Sequence, residues 1–146
     1  MSEVEASVAK VIDGYIAAVA ARDIDALMRL YDPSVRVFDA WGKWAYEGAV
    51  AWQVAVEGWF ASHPADRFHV TFEDVSSVTS AAFASLSAIV TYAVFSAQGE
   101  QLNSMQNRLT WVLRTSGHVL RIVHEHTSAP IGFEDQKAIL QRTSGS

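Results

Sequence analysis

The chain of 146 residues contains no cysteine, which excludes disulfide bonds, thiolate metal sites and a cysteine nucleophile. It also lacks a long apolar run, because polar residues interrupt every apolar stretch before it reaches the length of a membrane span. The start of the sequence, M-S-E-V-E-A, has no basic segment of the kind that precedes the core of a signal peptide. We therefore expect a soluble protein of the cytoplasm with no membrane partner.

Basic charge is scarce too. With 11 basic and 16 acidic residues the formal net charge is -5, and no run of Lys or Arg alternates with aromatic residues. Nucleic acid is therefore not an expected partner, since phosphate backbones require such a basic surface. A hydrophobic share of 50% with 18% charged residues is typical of one globular core, so we expect a single domain over residues 1–146, with 143–146 disordered.

The first part of the chain has helical periodicity. Apolar residues recur three or four apart from Val4 to Arg22, which predicts a first amphipathic helix. Asp23 is a plausible N-cap for a second, shorter helix through Tyr31. A short strand follows, in which Val35, Val37 and Asp39 share one face, and a third helix is predicted over Ala49–Ser62.

After Pro64 the apolar period changes from helical to two, which is typical of strands. Strands are predicted over Phe68–Glu73, Ala82–Ala97, Leu102–Thr115 and Val119–Ser128, followed by a short helix over Glu134–Arg142. Helices first and an antiparallel meander afterwards indicate an α+β domain with helices on one face of the sheet.

One segment resembles a known family. From Tyr15 to Gly42 the chain reads Y-I-A-A-V-A-A-R-D-I-D-A-L-M-R-L-Y-D-P-S-V-R-V-F-D-A-W-G, which resembles the opening of the ketosteroid isomerases of the SnoaL-like/NTF2-like superfamily. The resemblance implies an NTF2-like cone, with three N-terminal helices packed on a curved, mostly antiparallel sheet. It also implies a first-helix oxyanion donor, Tyr15, and a general base at a strand end, Asp39.

The C-terminal half supports the same family. The pair R-L-T-W-V-L-R-T-S-G and L-R-I-V-H-E-H-T-S-A-P is similar to the last two strands of SnoaL-like domains and of the calmodulin-dependent kinase association domain. In the association domain an arginine follows the His-x-His pattern, whereas this chain has Thr127. The two matches agree in order and spacing, which strengthens both.

Asp39 and Tyr15 each have two interpretations. Apolar surroundings would raise the pKa of Asp39 toward the range of a useful base, but the residue can instead cap a turn or pair with an arginine. Tyr15 can donate to a carbonyl or enolate oxygen, or be a core tyrosine bonded to a neighbour.

Ketosteroid isomerases also use a protonated acid in the penultimate strand as a second donor. Between Gln101 and Thr115 this chain has no Asp or Glu, and Gln106 and Leu109 occupy the candidate positions. Arg108 in the same strand is a further candidate, either as a fork that holds a carboxylate or polarised oxygen, or as part of a structural ion pair.

His124 and His126 stand two apart in the last strand, so alternation places both on the face of Leu120 and Ile122. If that face lines the cavity, either can act as an acid or base with Asp39; otherwise they serve structure. No third ligand of suitable spacing accompanies them, so no metal is expected.

The chain has five tryptophans and seven phenylalanines, which in a small protein more often form the core than a ligand site. Their aromatic surface exceeds what a small core usually needs, which favours a deep apolar cavity. Together with Gln106 and His126, the candidates for ligand contact are Trp41, Trp44, Trp59, Phe60, Tyr92 and Phe95.

Two functions fit these residues. One is a cofactor-free enzyme of the ketosteroid isomerase or polyketide cyclase type, an isomerase, cyclase or dehydratase acting on a small hydrophobic carbonyl compound, with Asp39 as base and Tyr15, Arg108 or His124 stabilising charge. The other is a non-catalytic ligand-binding or assembly module. In addition, the long strands carry apolar residues on both faces, which favours a homodimer formed by the outer sheet face.

Overall fold

The computed structural model of the protein describes residues 2–143 and is an α+β structure with one mixed sheet. The elements are α1 Glu3–Ala21, α2 Ile24–Met28, β1 Tyr31–Phe38, β2 Tyr46–Glu47, α3 Ala49–Ala61, β3 Arg67–Thr79, β4 Phe83–Phe95, β5 Gln101–Ser116 and β6 Val119–Ser128. The α+β class predicted from the change of periodicity is confirmed. Helices α1 and α2 precede the first strand, whereas α3 follows β1 and the short β2 and so is not part of an N-terminal group of three helices. The sequence pattern did not indicate β2.

The strands form one curved sheet in the order β2-β1-β6-β5-β4-β3. All neighbours are antiparallel except β1 and β6, which run parallel. The first long strand of the chain thus lies beside the last one, and this topology brings the end of β1 next to the end of β6.

Helix α1 forms where the apolar stripe predicts it. Ser2 and Glu5 make a reciprocal capping box at its start, which satisfies two backbone donors of the first turn. The buried side of the helix consists of Val8, Val11, Tyr15, Ala18 and Val19. Tyr15 therefore points from the helix into the space between helix and sheet.

The two other helices also follow local signals. Asp23 caps α2, since its carboxylate accepts a bond of 3.0 Å from the backbone N–H of Ala26. In α3 the residues Trp52, Val56 and Phe60, four apart, are the buried ones. This face of α3 closes one side of the interior.

The last strand contains a β-bulge. Val112 of β5 pairs with His124, but the next residue, Leu113, pairs with Ile122, so Val123 is an extra residue in β6. The alternation of faces changes at this point. The expectation that His124 and His126 share a face with Leu120 and Ile122 is therefore wrong.

Residues 129–143, the described part of the chain after β6, are not helical, so the helix predicted over Glu134–Arg142 is wrong as well. The segment folds back on itself through a bridge between Ile131 and Ala138, and the carbonyl of Leu140 accepts a bond from the N–H of Gln106. Because β6 ends opposite Arg108, the rest of β5 has an open edge, and this segment supplies a backbone partner at Gln106 and a side-chain donor, from Gln141, to the carbonyl of Ser104. Of the predicted disordered tail, residues 144–146 lie outside the described residues.

Candidate functional site

A cavity of about 510 Å³ lies between α1, α3 and the inner face of the sheet. Of the residues predicted to act on or contact a ligand, the structure brings five to this cavity: Tyr15, Asp39, Trp41, Trp59 and Tyr92. Its wall is mostly apolar, which suits a small hydrophobic molecule. No helix among residues 2–143 is long and apolar enough to cross a bilayer, and these residues contain no cluster of His, Asp or Glu that can hold a metal ion.

Asp39 follows β1 at the point where β1 and β6 end together. The hydroxyl of Thr127 donates to its Oδ1 at 3.0 Å, and the backbone N–H of Trp41 donates to its Oδ2 at 3.3 Å. Burial raises the pKa of Asp39, and these hydrogen bonds act in the opposite direction. The result is an oriented carboxylate on the cavity wall, with neither oxygen bound to an arginine among the described residues.

Two tyrosine hydroxyls meet in the cavity. The oxygens of Tyr15 on α1 and Tyr92 on β4 are 2.9 Å apart, and either can be the donor. Burial raises the pKa of both well above the usual value, so both stay protonated at neutral pH. Their shared bond uses one proton, and the second proton remains available to a ligand oxygen.

Glu125 is a site residue that the sequence analysis missed. The bulge at Val123 turns it inward, where it is 2% exposed and lines the cavity. Its Oε1 accepts bonds from the Tyr31 hydroxyl at 2.6 Å and from the Trp111 indole N–H at 2.8 Å. Burial raises the pKa of Glu125 to about 7, the two donors lower it, and the charge of Asp39 raises it.

Asn107 on β5 was also missed, although a signal for it existed. It shares the inner face with Leu109 and Trp111, so strand alternation counted from these residues points it inward. It is buried on the cavity wall, and its Oδ1 has no hydrogen-bond partner in the part of the chain that the structure describes. A buried amide oxygen without a partner is costly, which favours contact with a ligand group that donates a hydrogen bond to it.

The structure places the other proposed catalytic residues outside this cavity. Arg108 is exposed on the outer sheet face, where its Nε donates to the hydroxyl of Ser128 at 3.0 Å. His124 donates from Nδ1 to the carbonyl of Arg36 at 2.7 Å. The rings of His124 and His126 both contact Phe38 edge-on.

The remaining predicted contact residues lie elsewhere too. Trp44 is 97% exposed, and Gln106 accepts from the backbone N–H of Arg142 beside the open edge of β5. Phe60 is buried in the core against Phe68, and Phe95 contacts His69.

The comparisons with known proteins agree with this geometry. The family model of the SnoaL-like domain matches residues 8–132. The chain belongs to the SnoaL-like domain family. A comparison with curated proteins finds no match by sequence.

Solved structures share the fold of this SnoaL-like chain. An NTF2-like protein of unknown function from Pseudomonas putida is 21% identical, with 96% of each chain covered and a TM-score of 0.84. Aln2 from a Streptomyces species is 16% identical over 88% of this chain and 91% of its own, with a TM-score of 0.80. ActVI-ORFA from Streptomyces coelicolor is 9% identical over 87% and 97%, with a TM-score of 0.76. The predicted membership of the SnoaL-like/NTF2-like superfamily is thus confirmed.

Proposed function

We propose that the protein is an enzyme of the ketosteroid isomerase or polyketide cyclase type, which transfers a proton on a small hydrophobic carbonyl compound without a cofactor. The observation that carries the proposal is the carboxylate of Asp39, held by Thr127 and Trp41 on the wall of an apolar cavity that also contains the hydroxyls of Tyr15 and Tyr92. A base and an oxyanion donor in one mostly apolar cavity are the two parts that enolisation requires.

In the proposed reaction Asp39 removes a proton from the carbon next to the carbonyl group. The electron pair moves to the carbonyl oxygen, which becomes an enolate. The free hydroxyl proton of the Tyr15–Tyr92 pair stabilises the developing charge. In this proposal the Nδ2 group of Asn107, on the same cavity wall, is a second neutral donor, while its unpaired Oδ1 can accept a hydrogen bond from a ligand hydroxyl.

Proton exchange tests this proposal without knowledge of the natural substrate. The probe is 4-phenylbutan-2-one in deuterated water, with loss of the α-proton signal followed by NMR. We expect exchange with the wild type and a rate lower by roughly a hundredfold or more with Asp39→Asn, because general-base catalysis typically contributes this much.

The matched control is Asp13→Asn, which makes the same chemical change on the exposed side of α1. It should exchange at the wild-type rate. A wild type that exchanges no faster than buffer, or an Asp39→Asn variant as fast as the control, would refute the enzyme proposal; a cavity that binds the ketone without exchange would indicate a non-catalytic binding module.

A further inference from the structure

Glu125 is a buried acid on the cavity wall that the proposed enolisation does not use. Both of its hydrogen bonds, from Tyr31 and Trp111, reach Oε1. Within residues 2–143 no group donates to Oε2. The carboxyl group therefore has one oxygen fixed by the protein and one left for the cavity that it lines.

This geometry determines where a proton on Glu125 must lie. Two donors already occupy Oε1, so the neutral acid carries its hydrogen on Oε2. Oε2 is the oxygen that the protein leaves unbound. In the neutral state Glu125 is thus a hydrogen-bond and proton donor directed at a ligand.

The surroundings of Glu125 favour the neutral state. The groups that face it are Tyr31 on β1, Trp111 on β5, Tyr92 on β4, Tyr15 on α1 and the carboxyl group of Asp39, none of which is a cation. The described cavity wall has neither lysine nor arginine, and its histidine, His63, is paired with Asp66 at 3.2 Å.

The two carboxyl groups differ in their setting. Asp39 is half-buried and accepts a bond on each oxygen, whereas Glu125 is 2% exposed and accepts on one oxygen. Glu125 is therefore the acid that keeps its proton, and Asp39 is the one that ionises. Two acids in one site with different proton affinities are the usual arrangement of a general acid and a general base.

We propose that Glu125 is the general acid of a two-carboxyl site and that the substrate is a β-hydroxy carbonyl compound, which the protein dehydrates; the proposal rests on the proposed function. Asp39 takes the α-proton and the electron pair moves to the carbonyl oxygen. The pair then returns to form the α,β double bond, the C–O bond at the β-carbon breaks, and the leaving hydroxyl takes the proton of Glu125 Oε2 to depart as water. The proton on Asp39 passes to solvent and Glu125 regains one, so the net change is loss of one water.

The spacing of the two acids fits this reaction. Glu125 pairs with Val37 across the parallel strands, and Asp39 follows two residues after Val37. Alternate residues of a strand are roughly 6–7 Å apart and neighbouring strands roughly 4.8 Å apart, so the Cα atoms of Glu125 and Asp39 are separated diagonally by roughly 8 Å. A substrate can bridge the two acids at this distance. Its β-hydroxyl oxygen lies roughly 2.7 Å from Oε2 of Glu125 and its α-carbon roughly 3 Å from the Asp39 carboxylate. These two substrate atoms are two bonds apart.

Two probes with the same carbon skeleton separate the roles of the acids. One is 4-phenylbutan-2-one, whose α-exchange needs the base alone. The other is 4-hydroxy-4-phenylbutan-2-one, whose dehydration gives a conjugated enone that is followed by its ultraviolet absorbance. For Glu125→Gln, which keeps the Oε1 acceptor but has no acidic proton, we expect dehydration to fall by roughly a hundredfold or more, while exchange stays within a few-fold of wild type.

Glu57→Gln, an exposed substitution on α3, is the control and should change neither rate. If Glu125→Gln does not fold, Tyr31→Phe provides the second test. This substitution removes one hydrogen-bond donor to the ionised form of Glu125 and so raises the pKa of Glu125. The alkaline limb of the pH profile for dehydration should therefore move to higher pH. The exchange rate at neutral pH should stay within a few-fold of wild type.

Each outcome has a definite meaning. Equal losses of exchange and dehydration in Glu125→Gln, or no loss in either, would overturn the assignment of Glu125. Exchange without dehydration in the wild type would overturn it too, yet leave the proposed enolisation standing. A wild type that catalyses neither reaction would contradict both proposals.

Discussion

Replacing Glu125 with glutamine should flatten the dependence of stability on pH. The pKa of Glu125 is about 7 in the folded protein, against an ordinary value of 4.5, because burial disfavours its charge. An acid whose pKa is higher in the folded protein than in the unfolded chain contributes its full stabilisation at pH values below the unfolded-state pKa. This contribution is lost as the pH rises through the folded-state pKa. The difference corresponds to about 3 kcal/mol of unfolding free energy lost between pH 4.5 and the region above pH 7.

The variant lacks this titration because glutamine stays neutral. Its side chain still accepts from Tyr31 and Trp111 through Oε1, so its stability near pH 4.5 should resemble that of the wild type. Above pH 7 the wild type should lose stability relative to the variant. Asp39, whose pKa is also raised, acts in the same direction in both proteins, so the difference between them isolates Glu125.

Urea unfolding followed by tryptophan fluorescence measures this difference at a fixed protein concentration. The control, Glu57→Gln, should keep the wild-type slope. Parallel stability curves for the wild type and Glu125→Gln, or a wild type that gains stability across this range relative to the variant, would refute the assignment of a neutral buried acid.

Other changes should have separable effects. Tyr15→Phe should slow α-exchange of 4-phenylbutan-2-one by roughly tenfold, less than Asp39→Asn, because the Tyr92 hydroxyl remains; an unchanged rate would remove Tyr15 from the oxyanion site. Asn107→Leu should raise the unfolding free energy by roughly 1 kcal/mol or more, since it removes an unsatisfied buried amide oxygen. It should also weaken binding of 4-nitrophenol in a spectroscopic titration, and lower stability with unchanged binding would contradict this. The homodimer stays a prediction. Its outer-face residues Phe83 and Val119 are about half exposed, so light scattering at micromolar concentration should report a dimer, and a strict monomer would contradict it.

Local patterns were sufficient to predict most of the fold. The stripe of α1, the cap at Asp23 and the alternation in β3 to β5 each depend on neighbours along the chain, and α1, β4 and β5 have bounds near the predicted ones. Strand β3 continues past the predicted end at Glu73 to Thr79, and α2 ends at Met28, before Tyr31, which begins β1. The C-terminal segment was different, because its conformation depends on the open edge of β5 at Gln106. The periodicity of apolar residues along the sequence carries no information about an open strand edge elsewhere in the fold.

The site was predicted less completely than the fold. Tyr15 and Asp39 follow from the helix stripe and the strand end, and both line the cavity. Glu125 was missed because a single extra residue, Val123, reverses the faces of the last strand, and alternation assumes that no such bulge occurs. Strand alternation counted from Leu109 and Trp111 places Asn107 on the inner face, so this rule was sufficient to predict it.

In the proposed site the carboxyl group of Asp39 and the hydroxyls of Tyr15 and Tyr92 contact the same carbonyl compound. A crystal structure of the protein with 4-nitrophenol, whose phenolate oxygen resembles that of an enolate, tests this arrangement directly. We expect the phenolate oxygen within roughly 3 Å of a Tyr15 or Tyr92 hydroxyl or of the Asn107 Nδ2 group, with the ring beside the Asp39 carboxyl group. A phenol bound outside the cavity, or bound inside it with its oxygen turned away from all of these groups, would refute the proposed site.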